Sequence, residues 1–239
     1  MNIGMIIFIV ILIVLIIIII RSYTVNNYIL TKLSDAKLQQ IIPSGSLATS
    51  SNPGNSNYAY SIWFYINDWN YRYNEKKIIF CKKELSTSAS PNGTNPQPSV
   101  ILDAYNNNIL IEITCYNGIS TNLKTFKINN IPIQLWVNLT ISVYGRTVDT
   151  YINGKLVQTN ILDGPVYINN DLDVYLTPTG GFDGSTSKFS YYPNSLNPEQ
   201  AWNIYEDGYS GGILSNLTGS YQLNVSVLQN GIEEASLTI

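Results

Sequence analysis

From Tyr58 to Asn67 the chain reads YAYSIWFYIN, which sets Tyr58, Tyr60, Ile62, Phe64 and Ile66 on one face and Ala59, Ser61, Trp63 and Tyr65 on the other. Successive side chains of a strand point to opposite faces, so this period of two predicts a β-strand. Further strand-like runs are KIIFC (77–81), SVILDAY (99–105), ILIEITC (109–115) and LWVNLTISV (135–143). The last of these would bury Leu135, Val137, Leu139, Ile141 and Val143 on one face. Asn106-Asn107-Asn108 suits a hairpin loop, and Gly145-Arg146 turns the chain into TVDTYI. Asn153-Gly154 turns it again into KLVQT, and Asn230-Gly231 joins YQLNVSVLQ to IEEASLTI. Asn-Gly between two β runs is a strong hairpin signal, because both central residues of a type I′ turn need positive φ. One helix interrupts the strands, in SLNPEQAWNIYEDG: Asn197 suits the N-cap, Pro198 the first turn, Gln200 a capping box and Gly208 the C′ position. Trp202 and Tyr205 should pack down on the sheet. These signals predict an all-β, two-sheet antiparallel sandwich with one short helix.

Ahead of this domain lies IGMIIFIVILIVLIIIII, Ile3 to Ile20, without a charge. As a helix it would be about 27 Å long, close to the hydrocarbon thickness of a bilayer. A cleaved signal peptide is the competing reading, but no basic segment precedes the run and no small-residue cleavage site follows it. The run is read as a single transmembrane anchor over 1–21, with Ile3 and Ile20 at its ends. Thr24 to Ile42 carries a helical stripe that predicts a stalk, and Pro43 to Asn57 reads as a flexible linker, so 22–57 is assigned to stalk and linker. The β domain is expected over 58–208, with 209–239 as a C-terminal hairpin extension. Ser86 to Pro98 reads as a polar, mobile loop. Arg21, Lys32 and Lys37 follow the anchor, and the positive-inside tendency would put the domain on the cytosolic side.

The chemistry is bounded by what is missing. The chain has no histidine, which removes Ser-His-Asp and Cys-His catalysis and imidazole metal sites. The net charge of −3, with scattered basic residues, offers nucleic acid no electrostatic footprint. Cys81 and Cys115 are either a disulfide between neighbouring strands or two buried reduced thiols. The sequons at Asn92, Asn138, Asn216 and Asn224 are no evidence for a secretory route, and Asn138 falls in mid-strand. Most of the 18 Tyr and four Trp are expected to serve packing. The exception is Trp69 with Tyr71 and Tyr73, in NDWNYRYNEKK, which follows a strand end and mixes ring with charge as a ligand rim would.

Three segments taken together resemble concanavalin A-like jelly rolls, specifically laminin G-like domains. They are YSIWFYIN (60–67), read as the opening strand with its inward Trp; Trp136 to Val157, the paired central strands and Asn-Gly-Lys hairpin; and Phe182 to Gly208, the closing strand and short helix. The resemblance implies two stacked sheets and glycans or proteins bound on the concave face or rim. Some members hold calcium, for which Asp103, Asp149, Asp163, Asp171, Asp173 and Asp183 would be the candidates, although they form no dense cluster. The paired carboxylates of the family's hydrolases are missing, and Glu112 and Asp149 stand alone, so no catalytic residue, cofactor or metal is expected. Membrane-tethered laminin G-like proteins with this Asn, Ile and Tyr bias resemble those of large DNA viruses. The sequence therefore suggests a non-enzymatic structural protein, with the bilayer and a capsid lattice as partners. It would be a virion component in a viral internal membrane, with its domain on the capsid side. The alternative is a membrane-anchored, lectin-like protein that binds glycans.

Overall fold

A computed structural model describes residues 12, 13, 16, 28–49, 56–83 and 95–210, and the backbone of 224–229 and 232–238. The proposed anchor lies outside these residues apart from Leu12, Ile13 and Ile16, which are helical. Among the described residues no helix is long and apolar enough to cross a membrane. Most of the Ser86–Pro98 loop and the sequons Asn92 and Asn216 also lie outside them.

In chain order the strands are β1 (Ser34–Asp35), β2 (Gln40–Ile42), β3 (Tyr58–Asp68), β4 (Lys77–Lys82), β5 (Ser99–Leu102), β6 (Ile109–Tyr116) and β7 (Thr121–Ile128). There follow β8 (Trp136–Tyr144), β9 (Thr147–Ile152), β10 (Lys155–Ile161), β11 (Val174–Leu176), β12 (Asp183–Tyr192), helix α1 (Pro198–Glu206), β13 (Asn224–Gln229) and β14 (Ile232–Thr238). One sheet has the order β1-β12-β3-β8-β9-β10 and the other β2-β11-β4-β5-β6-β7. Neighbouring strands are antiparallel throughout, and β13 with β14 forms a separate two-stranded ribbon.

The alternation of β3 sets the core. Tyr60, Ile62 and Phe64 meet Val137, Leu139 and Ile141 of β8, and across the gap Phe80, Val100 and Ile111 of the second sheet. Burying each such side chain contributes roughly 1.5–3 kcal/mol. Leu135, expected in the core, is 61% exposed. It lies just before β8, next to Gln134 at φ 56°, in a connection that turns it outward. Trp63 departs from the expected inward position too. It is buried, but on the opposite face of its sheet, where its ring stacks on Tyr205 of α1 at 5.6 Å and meets Tyr209 at 6.1 Å.

Helix α1 begins as the sequence predicts. Gln200 N donates to Asn197 Oδ1 at 2.8 Å, and Asn197 N donates to Gln200 Oε1 at 2.9 Å. Gly208, with φ 63°, follows the last turn. Beneath the helix, Asn153 and Gly154 both have positive φ, as the β9–β10 turn requires. A Cβ on Gly154 would come within 3.0 Å of both Trp202 and Tyr205, so this glycine also lets α1 lie close to the hairpin. Tyr205 packs down as expected, whereas Trp202 is 39% exposed.

The helical stripe read over Thr24 to Ile42 is not realised in its described part. Either side of a turn at 36–38 the chain pairs with sheet edges instead: Ile29 bridges Ser190, β1 pairs with β12, and β2 pairs with β11. Two open sheet edges supply hydrogen-bond partners that outweigh a weak local helical preference. Within the stretch read as linker, 44–46 form a 3-10 turn whose Ser44 N donates to Asp173 Oδ1 at 2.8 Å.

Candidate functional site

The rim proposed at Trp69, Tyr71 and Tyr73 is the connection between β3 and β4, at the end of the sandwich reached by Asp68. Residues 71–74 form a turn in which Arg72 and Asn74 have φ of 51° and 69°. A non-glycine side chain seldom adopts this conformation, and Arg72 is held in it by its contacts. Its guanidinium donates to the carbonyls of Thr179 and Gly181 and, through Nε and Nη2, to Glu75 Oε2 at 2.9 and 2.6 Å. Tyr71 Oη donates to Gly180 O at 3.1 Å, and the Lys37 ammonium sits 4.9 Å from the centre of its ring. Gly181, with φ 44°, cannot be substituted here, since a Cβ would fall 1.9 Å from Ala36 O.

The three aromatics part company. Trp69 turns inward against the core, and Lys77 lies 4.9 Å over its ring while donating to Trp69 O at 3.3 Å. Burial lowers the Lys77 pKa from its ordinary value, and the nearby Arg72 charge adds to the effect. Tyr71 is half-buried against the 178–181 turn. Tyr73 alone stands out, 56% exposed, and meets Tyr105, 59% exposed, edge to face at 6.2 Å. Tyr105 closes the run SVILDAY just before the Asn106–Asn108 loop, and nothing in its sequence position distinguished it from a strand residue. Asn74 N donates to Ala104 O at 3.3 Å, which ties the two turns together. The result is a pair of accessible rings beside carboxylate and amide groups.

Polar neighbours are fixed. Asp103 accepts from Asn108 Nδ2 at 3.3 Å and pairs with Lys127 at 3.7 Å. Burial works to raise its pKa, but the Asn108 bond, the Ala104 amide and the Lys127 charge outweigh that and hold it low. Asp183 pairs with Lys37 and accepts from Asn67 at 2.9 Å, and these bonds, Lys37 first, lower its pKa. The other candidate calcium acids are dispersed as well. Asp149 accepts from Thr159, Asp163 pairs with Lys124, and Asp173 caps Ser44 N. Among the described residues no three acids or cysteines gather at one point. Glu112 and Asp149, the acids on central strands, belong to different sheets.

The cysteines are both free and buried. Cys81 packs with Ile78 and Ile101 on the outer face of its sheet, whereas Cys115 belongs to the core between the sheets. β5 lies between their strands, which are therefore about 9–10 Å apart, and the register puts Glu112, three residues before Cys115, across from Cys81. A disulfide needs Cα atoms within about 7 Å and converging Cβ bonds, so the bonded alternative does not hold.

This architecture has known counterparts. The family described as the concanavalin A-like lectin/glucanases superfamily matches residues 43–202. Among solved structures, the receptor-binding domain of botulinum neurotoxin D is similar at TM-score 0.51 and 13% identity, over 79% of this chain and 57% of that one. A serotype D ligand-binding domain in complex with N-acetylneuraminic acid is similar at TM-score 0.51 and 13% identity, over 78% of this chain and 55% of that one. The chain therefore spans little more than half of these neighbours, and the likeness is one of fold. No curated protein matches the sequence. With two antiparallel six-stranded sheets, a short closing helix and a family match over most of its length, the chain belongs to the concanavalin A-like lectin/glucanases superfamily.

Proposed function

We propose that this protein is a lectin-like module that binds glycans and is held at a membrane by the apolar run Ile3 to Ile20. The observation that carries the reading is the exposed Tyr73–Tyr105 pair on the rim of a lectin-type sandwich. A sugar presents an apolar face of C–H groups to such rings and hydroxyls to the amides and carboxylates around them. The neighbour solved with N-acetylneuraminic acid supports a sugar as the ligand class. No observation favours a link to a capsid lattice, and glycan binding takes the place of the virion reading.

Full-length protein in detergent micelles, applied to a glycan array, tests this. Binding should be detected, and Tyr73→Ala with Tyr105→Ala should weaken it about tenfold, or ~1.4 kcal/mol. An array without a bound glycan would overturn the reading, and unchanged binding by the double variant would remove the site from the rim. Glycan binding also calls for an outward-facing domain, contrary to the side that Arg21, Lys32 and Lys37 suggest. Protease protection on intact membranes decides: a domain cleaved from outside fits the lectin reading, and a protected one fits the basic residues.

A further inference from the structure

At the other end of β3 there is a second concavity. Tyr191 N donates to Tyr28 O at 3.2 Å, and this contact sets the Tyr28 and Tyr192 rings 4.8 Å apart. The two rings, with Gln200, Asn203 and Asp207 of the α1 segment, line a cleft of 260 Å³. Tyr192 pairs with Ala59, and Asp183 with Asp68, so the cleft and the Tyr73 rim are nine residues apart along β3, about 30 Å.

The cleft is built rather than incidental. Ser142 Oγ accepts from Leu196 N at 2.8 Å and donates to Leu196 O at 2.9 Å, which ties the start of the helical segment to β8. Lys188, at the bulge in β12 with φ 46°, reaches across to the far end and donates from Nζ to the carbonyls of Asp207 at 2.8 Å and Gly208 at 2.6 Å. A lysine on the last carbonyls satisfies groups that the helix leaves open and complements its dipole. Pinned at both ends, α1 holds Gln200 and Asn203 at the cleft that Tyr28 and Tyr192 also line.

We propose that this cleft binds an uncharged pyranose, stacked on Tyr192 and hydrogen-bonded by Gln200, Asn203 and Asp207. It rests on the carbohydrate-binding reading but uses none of the rim's residues. Three observations carry it. The lining combines aromatic rings with side-chain amides, which match the apolar and the hydroxyl aspects of a sugar ring. A side-chain amide both donates and accepts, as each sugar hydroxyl does. The volume lies below the range of about 300–1,000 Å³ usual for drug-sized ligands, which suits a single ring. Asp207 contributes a carboxylate to the lining, which favours a neutral sugar over an anionic one.

Saturation-transfer NMR on the full chain in detergent micelles tests the proposal, with the methyl glycosides of glucose, galactose, mannose and N-acetylglucosamine as probes and N-acetylneuraminic acid as the charged comparator. At least one neutral glycoside should show transfer, and Tyr192→Ala should weaken it tenfold or more. Because removing a ring can unsettle the fold, Asn203→Leu is the second variant; it keeps the helix and should give the same loss at an unchanged melting temperature. Neutral binding that survives both variants overturns the proposal, as does transfer to N-acetylneuraminic acid alone. If binding is lost with Tyr73→Ala and Tyr105→Ala instead, this cleft fails while the carbohydrate reading stands. If no probe binds and the array is also blank, both fail.

Discussion

Asn138 shows how a single residue can be legible as a letter and opaque as an environment. Its sequon invites a glycan, yet its side chain is wholly buried, donating to Ser61 Oγ at 3.1 Å and sharing a network with Thr140. Its mid-strand position already argued against glycosylation; the closed network supplies the reason. Trp69 illustrates the reverse, a ring chosen for its polar surroundings that turns inward and leaves Nε1 buried without a hydrogen-bond partner. Tyr105 and Lys188 escaped notice because their roles arise from contacts across the fold, with Tyr73 and with the carbonyls after α1. The thiols give a prediction at this scale. Burial pushes the Cys81 thiol up to about 11, and Cys115 is buried as well, so neither sulfur is open to a reagent in the native state. Native protein should react negligibly with a thiol-specific chromogen at pH 8, and unfolded protein should release two equivalents without prior reduction. Rapid titration of either thiol in the native state would contradict this placement.

Elements were legible where a local signal was strong. The periodic runs 58–67, 109–115 and 135–143, the Asn153-Gly154 turn and the capping box of α1 carry their conformations in their own residues. The strands β1, β2 and β11, two or three residues each, have no such signal and exist because an open edge pairs with them. β7 (TNLKTFKI) is an edge strand with polar residues on both faces, so the apolar alternation that marks the inner strands is weak in it. Helix α1 supplies the prediction here. Asn197→Ala removes the side chain that accepts from Gln200 N, which should cost ~1 kcal/mol and lower the melting temperature by about 2–4 °C. Differential scanning calorimetry reads this directly, and a shift under 0.5 °C would mean that the Ser142 and Lys188 tethers hold the helix without its cap.

For the molecule as a whole, the ionisable groups define a pH profile. With no histidine in the chain, stability should be nearly flat between about pH 5 and 8. Asp103, Asp163 and Asp183 have native pKa values below the ordinary 3.8, so the native state binds fewer protons there, and stability falls as pH drops through that region. Lys77, Lys82 and Lys188 are lowered from 10.5, chiefly by burial; the native state again binds fewer protons, and stability rises with pH up to 10.5. Tyr58, Tyr60, Tyr191 and Tyr192 are raised above 10.0 by burial, so the unfolded chain loses its protons first and stability declines beyond that point. Cys81, raised from 9.0 to about 11, joins the tyrosines in opposing the lysines from about pH 9, so urea unfolding across the pH range should show a plateau near neutrality and a fall beyond about pH 10; stability that still climbs above pH 11 would contradict the burial of the thiol and the tyrosines. The two-layer fold was readable at this scale because it follows from strand count and turn spacing, whereas the surface that meets a ligand depends on loops whose geometry only the assembled sandwich sets.

The edge-pairing segment 28–42 has a mechanical consequence. It lies along the edge of one sheet from Tyr28 to Asp35 and then crosses to the edge of the other at Gln40. A tension applied to the chain upstream of Tyr28 would reach the bonds to Tyr191 and Phe189 first and then the short β1 pairing, each a few hydrogen bonds that peel one at a time. The long β3–β8 pairing, which carries the core, lies beyond them. Under load the domain would shed this edge segment first, a sacrificial seam between the pulled chain and the folded sandwich.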